Sequence, residues 1–145
     1  MSLKNFEQAE SCLCRSIELD NSLLWAHSVL GFTLEERKNH ADAVEQFKQA
    51  TALEWEYATP HFGLAEIYRK HLNQQENAIV EYEIVLQFEQ RPFQLLRAMI
   101  GLSRALEAAG RTVEARQRYQ EYLDRFPWGE HAPEALAALE RLGAA

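Results

Sequence analysis

The stretch ADAVEQFKQA, residues 41–50, contains a pattern of small and large residues that recurs along the chain. The pattern is Ala43-x-x-x-Phe47-x-x-Ala50, and its copies are Ala9-x-x-x-Leu13-x-x-Ser16, Ala78-x-x-x-Tyr82-x-x-Val85 and Ala115-x-x-x-Tyr119-x-x-Tyr122. The leading alanines of successive copies are 34, 35 and 37 residues apart. Self-similarity at such a period predicts a repeat architecture in which one supersecondary unit stacks on the next.

A second pattern precedes the last three of these copies. It is a leucine followed by a small residue, with a large apolar residue three positions later: Leu30-Gly31 with Leu34, Leu64-Ala65 with Tyr68, and Leu102-Ser103 with Leu106. Small residues allow two helices to approach closely, and large residues fill the space beside them. Because a single helix pair leaves one apolar face uncovered, we expect neighbouring pairs to stack side by side.

Together the two patterns resemble the tetratricopeptide repeat, a unit of about 34 residues with a Leu-Gly pair in its first helix and an Ala-x-x-x-Phe-x-x-Ala run in its second. The match covers nearly the whole chain. The resemblance implies an all-α fold: a right-handed α-solenoid of antiparallel helix pairs, with about three full repeats plus a flanking helix at each end. Departures from the family pattern are His27, His61 and Met99 in place of an early tryptophan, a terminal proline only at Pro127, and small insertions near 72–75 and 91–95.

We expect residues 1–145 to form a single tetratricopeptide domain. Its predicted parts are a half repeat at 1–23, repeats at 24–57, 58–95 (with the insertions) and 96–129, and a C-terminal capping helix at 130–145. Helices are predicted at about 3–19, 22–37, 40–54, 58–71, 75–90, 93–109, 112–125 and 130–142. Since the first helix corresponds to the second half of a repeat, its amphipathic face favours a fragment or a longer array over a capped end.

The composition restricts the class of partner. Of 145 residues, 47% are apolar and 26% are charged, as in globular domains. A formal net charge of −7 argues against a nucleic-acid partner, because non-specific binding of nucleic acid needs clustered cations. No run of about eighteen apolar residues occurs, so no membrane span is predicted. The N-terminal residues lack an export signal, which favours a cytoplasmic location; the bacterial periplasm is the alternative if a signal is missing from this chain.

The sequence shows no pattern typical of a catalytic, cofactor or metal site. Cys12 and Cys14 point in nearly opposite directions on a helix, so we expect neither a disulfide nor a shared metal and predict that both are buried or half-buried. His27 and His61 occupy equivalent repeat positions, which indicates a packing role. We therefore predict that the protein is not an enzyme and has no cofactor.

In the tetratricopeptide family the first helix of each pair lines a concave, peptide-binding groove. The family's groove positions correspond here to Trp25, Ser28, Phe32, Glu35, Glu36, Thr59, Phe62, Glu66, Arg69, Lys70, Arg97, Ile100, Arg104 and Glu107. We expect the three aromatic residues of this set to anchor a partner and its lysine and arginines to form a cationic stripe. The alternatives are that the aromatic residues belong to the core and that neighbouring acids pair with the cations.

The resemblance implies a protein–protein interaction scaffold that binds a peptide or partner segment in the groove. The alternatives are a structural segment of a longer array, self-association through the N-terminal helix, and binding of nucleic acid or a small molecule at the cationic stripe. Family members that clamp the acidic EEVD-type tail of chaperones use Lys, Arg and Asn at positions occupied here by Ser28, Phe32, Gly63, Arg97 and Gly101. Only Arg97 is compatible, so we expect no binding of an EEVD-type tail.

Overall fold

The computed structural model describes residues 2–143 as a series of α-helices, without a strand in that range. The helices are α1 (Leu3–Leu19), α2 (Leu24–Glu36), α3 (His40–Leu53), α4 (Ala58–Lys70), α5 (Gln75–Phe88), α6 (Pro92–Ala108), α7 (Thr112–Arg125) and α8 (Ala132–Gly143). Each predicted boundary lies within two residues of the observed one. None of the helices in the described range combines the length and the apolarity needed to cross a membrane.

Consecutive helices pack against each other along the whole array, and α2 also contacts α4, as α4 contacts α6. Links of only three to six residues join the helices, so each helix runs antiparallel to the one before it. The result is the predicted α-solenoid, in which α2, α4 and α6 form one surface and α3, α5 and α7 lie behind it. Stacking in one dimension makes each helix pair depend chiefly on its immediate neighbours.

The recurring aromatic residue of the repeat fills the junction between three helices. The ring of Phe47 on α3 lies between Gly31 on α2 and Gly63 on α4. A Cβ atom added to Gly31 would lie 2.7 Å from the ring, and one added to Gly63 would lie 2.5 Å from it. Gly101 on α6 faces the ring of Tyr82 in the same way, with a Cβ distance of 2.6 Å. Three glycines therefore mark the places where a ring contacts a helix backbone, and only Gly31 of them belongs to the small-residue positions of the sequence pattern.

The repeated histidines are buried packing residues, as predicted. His61 is fully buried, with Nδ1 2.6 Å from a carboxylate oxygen of Glu81 and Nε2 2.8 Å from the carbonyl oxygen of Trp55. His27 repeats the arrangement with Gln46 at 2.8 Å and the carbonyl oxygen of Asn21 at 3.0 Å. Each imidazole thus joins an inner helix both to the helix behind it and to the preceding link, which satisfies polar groups that would otherwise be costly to bury.

The prediction for the two cysteines was wrong, because Cys12 and Cys14 are both exposed. Helix α1 packs chiefly against α2 within the described range, so just one stripe of it, including Leu13, is buried. Cysteines one position to either side of Leu13 fall off that stripe. Burial and the nearby carboxylates of Glu10 and Glu18 raise the pKa of the Cys14 thiol, which disfavours the reactive thiolate.

Candidate peptide-binding groove

Helices α2, α4 and α6, with the links before them, form a surface that contains three adjoining recesses of about 300, 240 and 240 Å³. We call this surface the inner groove. Its lining residues are Phe32, Glu35, Glu36, Tyr57, Thr59, Phe62, Gly63, Glu66, Arg69, Lys70, Val85, Glu89, Arg91, Gln94, Arg97, Ile100, Arg104, Glu130 and His131. Phe62 and Arg97 line all three recesses, which places them at the centre of the groove.

Two of the predicted aromatic anchors have one side in the core and the other in the groove. Phe32 packs edge-on against Phe47, with ring centroids 4.8 Å apart, and Phe62 packs against Tyr82 at 6.2 Å. Both side chains are half-buried. The core interpretation therefore holds for one face of each ring, and the groove interpretation holds for the other face. The guanidinium carbon of Arg97 lies 4.9 Å from the centroid of Phe62, a cation–π contact on the groove side.

Glu66 is the buried acid of the groove, with 8% of its surface exposed. It accepts a short hydrogen bond from the Tyr82 hydroxyl, and the ammonium of Lys70 and guanidinium of Arg69 lie 2.5 and 3.4 Å from its carboxylate. Arg69 Nε also donates to the Tyr82 hydroxyl at 2.9 Å. Burial would raise the pKa of Glu66, but the hydrogen bonds from Lys70 and Tyr82 and the charge of Arg69 outweigh it, so the pKa is lowered.

Ion pairs with carboxylates engage three of the four cations of the predicted stripe. Arg69 and Lys70 share the carboxylate of Glu66. Arg104 donates two hydrogen bonds, of 2.7 and 2.6 Å, to Glu134 on α8, and these bonds lower the pKa of that carboxyl. Of the four cations, Arg97 alone has no carboxylate partner within residues 2–143. Its charge is therefore available to a ligand, and the paired-cation alternative holds for the other three.

Three predicted groove residues lie elsewhere than expected. Trp25 is 56% exposed on the first turn of α2 and lines none of the three recesses of the inner groove. Ser28 is buried and donates to the carbonyl oxygen of Leu24 at 3.1 Å, because its side chain is too short to extend into the groove as Phe62 does at the equivalent position. Ile100, also equivalent to Phe62, is buried and only forms the floor of one recess.

The remaining predicted residues lie on the inner surface or beside it. Thr59 lines the largest recess, while Glu35 and Glu36 line the recess nearest α2. Burial, offset in part by Lys70, raises the pKa of Glu35. Glu107 lies outside the inner groove and accepts a hydrogen bond of 2.8 Å from Tyr119.

Sequence projection missed the part of the groove that the links provide. Tyr57, Glu89, Arg91 and Gln94 line the largest of the three recesses. The first three lie in links, whereas Gln94 lies on the first turn of α6, and both Arg91 and Gln94 fall in the insertion near 91–95. Arg91 is bound to Glu89, with Nη2 2.8 Å from the carboxylate. The family's groove positions lie on helices only, so the insertion was the one signal that pointed to this region.

The inner groove offers binding contacts and no assembled metal site, since no group of three His, Cys, Asp or Glu side chains suited to a metal occurs within residues 2–143. Models of the tetratricopeptide repeat match residues 1–23 and 97–127. No curated protein matches the sequence. Tetratricopeptide repeats are generally a non-enzymatic, protein-interaction fold.

Solved structures with a similar fold cover most of the array. The chain is similar to MamA, with 22% identity over 88% of this chain and 67% of that one and a TM-score of 0.76. It is also similar to YrrB, described as a tetratricopeptide protein with an unusual peptide-binding site, with 18% identity over 98% and 70% of the chains and a TM-score of 0.83.

A third similar structure is the tetratricopeptide domain of Arabidopsis OM64, with 19% identity over 82% of this chain and 93% of that one and a TM-score of 0.69. At these identities the likeness shows the fold alone. Two separate segments, 1–23 and 97–127, therefore match models of the tetratricopeptide repeat, and the fold of residues 2–143 is that of tetratricopeptide repeat structures.

Proposed function

We propose that the protein is an interaction scaffold whose inner groove binds an extended peptide segment through an apolar side chain and a neighbouring carboxylate. The observation that carries this proposal is the pairing of Phe62 with Arg97 at the centre of all three recesses. A half-buried aromatic ring beside an unpaired guanidinium supplies an apolar contact and a directional anion contact at one place.

The surroundings select the chemistry of the segment. Phe32 and Phe62 provide adjacent apolar surface, and Arg97 provides the charge that no described carboxylate neutralises. Glu35 and Glu36 lie at the α2 end of the groove and would repel a second acidic residue placed there. We therefore expect a ligand with one carboxylate, or its own C-terminus, next to an apolar residue, in contrast to the several anions of an EEVD-type tail.

The alternatives have less support from the geometry. Self-association through α1 requires an apolar outer face, but the only large apolar side chains exposed on α1 are those of Leu3 and Leu19. Binding of nucleic acid requires a free cationic stripe, whereas Arg69, Lys70 and Arg104 are already paired with carboxylates.

A synthetic peptide array that varies apolar and acidic positions independently tests the proposal with the full chain. Bound peptides are expected to share an apolar residue beside Asp, Glu or a terminal carboxylate. In solution, Arg97→Gln is expected to lower the affinity for such a peptide about tenfold or more, and Phe62→Ala should lower it by a similar factor. Arg15→Gln on α1, an exposed arginine paired with Glu18, is the matched control.

Phe62→Leu separates binding from folding, because leucine retains most of the core contact of Phe62 but cannot form the cation–π contact. Circular dichroism should show the same helical content for all variants. The proposal is refuted if Arg97→Gln and Phe62→Leu bind the selected peptides as tightly as the unmodified protein does.

A further inference from the structure

All three tryptophans of the protein are exposed: Trp25 lies on the first turn of α2, Trp55 in the link before α4 and Trp128 in the link before α8. Trp25, Trp55 and Trp128 are 56%, 56% and 63% exposed, and Phe93, on the first turn of α6, is 72% exposed. Large aromatic side chains usually bury most of their area, so a row of open ones marks an interaction surface. Because alternate helices run in the same direction, the links 20–23, 54–57, 89–91 and 126–131 lie along one edge of the solenoid.

The charge of this edge is distinctive. Its four links contain five acids (Asp20, Glu54, Glu56, Glu89 and Glu130) and one arginine, Arg91, which is bound to Glu89. We call it the acidic edge. The links of the opposite edge, 37–39, 71–74 and 109–111, contain Arg37, Lys38 and Arg111 and no acid. We call this opposite edge the basic edge.

The ion pairs sharpen this contrast. On the basic edge, Arg37 is bound to Glu10 and Arg111 to Glu76 and Glu114. On the acidic edge, Glu54, Glu56 and Glu130 have no lysine or arginine partner in the range 2–143. The acidic edge therefore presents uncompensated negative charge next to exposed aromatic rings.

A cleft of about 380 Å³ lies on the acidic edge. It is lined by Phe93 and Leu96 of α6 and by Trp128 and Glu130 of the following link. The Trp128 ring packs edge-on against Phe126, with centroids 5.5 Å apart, and this contact holds it in place. The side chain of Glu130 is 72% exposed at the mouth of the cleft and contacts only its neighbour His131 among the ionisable groups that the structure describes.

We propose that the acidic edge is a second docking surface, which adjoins the inner groove at Glu89 and Glu130, for a basic partner segment that inserts an arginine or lysine side chain between Phe93 and Trp128. The alkyl stem of such a residue suits the apolar walls, and its cationic head meets both the aromatic faces and the Glu130 carboxylate. Aliphatic residues of the same segment cover the remaining aromatic surface towards Trp55. Charge complementarity selects this partner: the inner groove presents a free cation, the acidic edge free anions.

Two synthetic peptides of alternating leucine and arginine, one with citrulline replacing every arginine, test the proposal with the full chain. Citrulline keeps the size and most hydrogen-bonding groups of arginine but carries no charge. Fluorescence anisotropy should detect binding of the arginine peptide only. Phe93→Ala and Trp128→Ala are expected to weaken binding about tenfold or more, and Glu130→Gln about two- to fivefold, as for an exposed ion pair.

Matched controls come from exposed residues on other faces. Val113→Ala on α7 truncates an exposed apolar side chain and Glu83→Gln on α5 removes an exposed acid, and both changes should leave the affinity unchanged. Arg97→Gln should not weaken binding of the arginine peptide, since it removes a cation that lines the same recess as Glu130, whereas it should weaken binding of an acidic peptide in the inner groove. Since Phe93 is largely exposed, its replacement leaves the core intact even if Trp128→Ala proves poorly folded.

Three results would overturn the proposal. The first is equal binding of the citrulline and arginine peptides, or binding of neither. The second is equal loss of affinity in Glu83→Gln and Glu130→Gln, which would indicate attraction to net charge alone. The third is that zwitterionic vesicles, or a second copy of the chain in sedimentation experiments, occupy the edge in a manner abolished by Trp128→Ala, since the occupant would then be a lipid surface or the protein itself.

Discussion

The substitution Tyr82→Phe removes the hydroxyl that donates to Glu66, and so isolates the contribution of the Glu66 hydrogen bonds to stability. The ring should pack unchanged, because Phe47 occupies the equivalent position of the preceding repeat without a hydroxyl. What is lost is the hydrogen bond that Tyr82 donates to Glu66 and the one that it accepts from Arg69. Glu66 is 8% exposed, so water cannot readily replace the lost donor.

The expected cost follows from the charge and the burial of the partner. Hydrogen bonds to charged groups contribute about 1.5–3 kcal/mol, and we expect Tyr82→Phe to lower the free energy of unfolding by about that amount. Tyr119→Phe is the matched control, since Tyr119 occupies the next equivalent position and donates to Glu107 at 2.8 Å. The Glu107 side chain is 28% exposed and can be rehydrated, so this change should cost only about 0.5–1.5 kcal/mol.

Urea unfolding followed by circular dichroism measures both variants. Repeat arrays can unfold in stages, so two probes, far-ultraviolet ellipticity and tryptophan fluorescence, should be compared. A loss of at least several degrees in Tm is expected for Tyr82→Phe, from about 2–4 °C per kcal/mol for a chain of this size. If Tyr119→Phe is as destabilising as Tyr82→Phe, or if Tyr82→Phe is neutral, the burial of Glu66 does not determine the cost of losing its hydrogen bond from Tyr82.

Three further predictions follow from single contacts. Gly63→Ala places a Cβ atom 2.5 Å from the Phe47 ring. The cost of overpacking, about 1–3 kcal/mol, should outweigh the gain in helix propensity of about 1 kcal/mol, so the variant should be less stable than the unmodified protein. Phe47→Leu should relieve this cost, which a double-mutant cycle followed by urea unfolding measures. Glu134→Gln removes the carboxylate that pairs with Arg104, so binding of acidic peptides in the groove should strengthen. Stability should fall by less than about 1 kcal/mol, because both partners are partly exposed. Unchanged affinity would show that Arg104 cannot reach the ligand. Burial and then the charges of His40 and Lys70 hold the pKa of His71 below its ordinary value of 6.5, against an opposing effect of Glu66. The unfolded chain therefore binds the proton more readily, and stability present above about pH 6.5 is lost as the pH falls below that value. His71→Gln should remove this loss between pH 7.5 and pH 5.5 in urea titrations, and an unaltered slope would contradict the assignment.

The architecture was predictable because the spacing of small and large residues defines the repeat. The spacing of Ala43 and Phe47, copied at 78 and 82, determines which helix positions allow close approach and which fill the gap, and this requirement is local to each helix pair. The boundaries of all eight predicted helices could be placed within two residues for the same reason. The packing role of His61 was also predictable, since its equivalence to His27 is a property of the sequence alone.

The tertiary structure alone decided which groove residues remain free to bind. Arg69, Lys70, Arg97 and Arg104 look alike as a sequence pattern, and only the folded chain pairs Arg104 with Glu134, thirty residues away, while leaving Arg97 unpaired. The fate of Cys12 and Cys14 likewise depended on how many helices lie beside α1. Repeat spacing specifies the helix faces, whereas burial and ion pairing depend on side chains brought together from separate repeats, and those distances exist only once the solenoid has stacked.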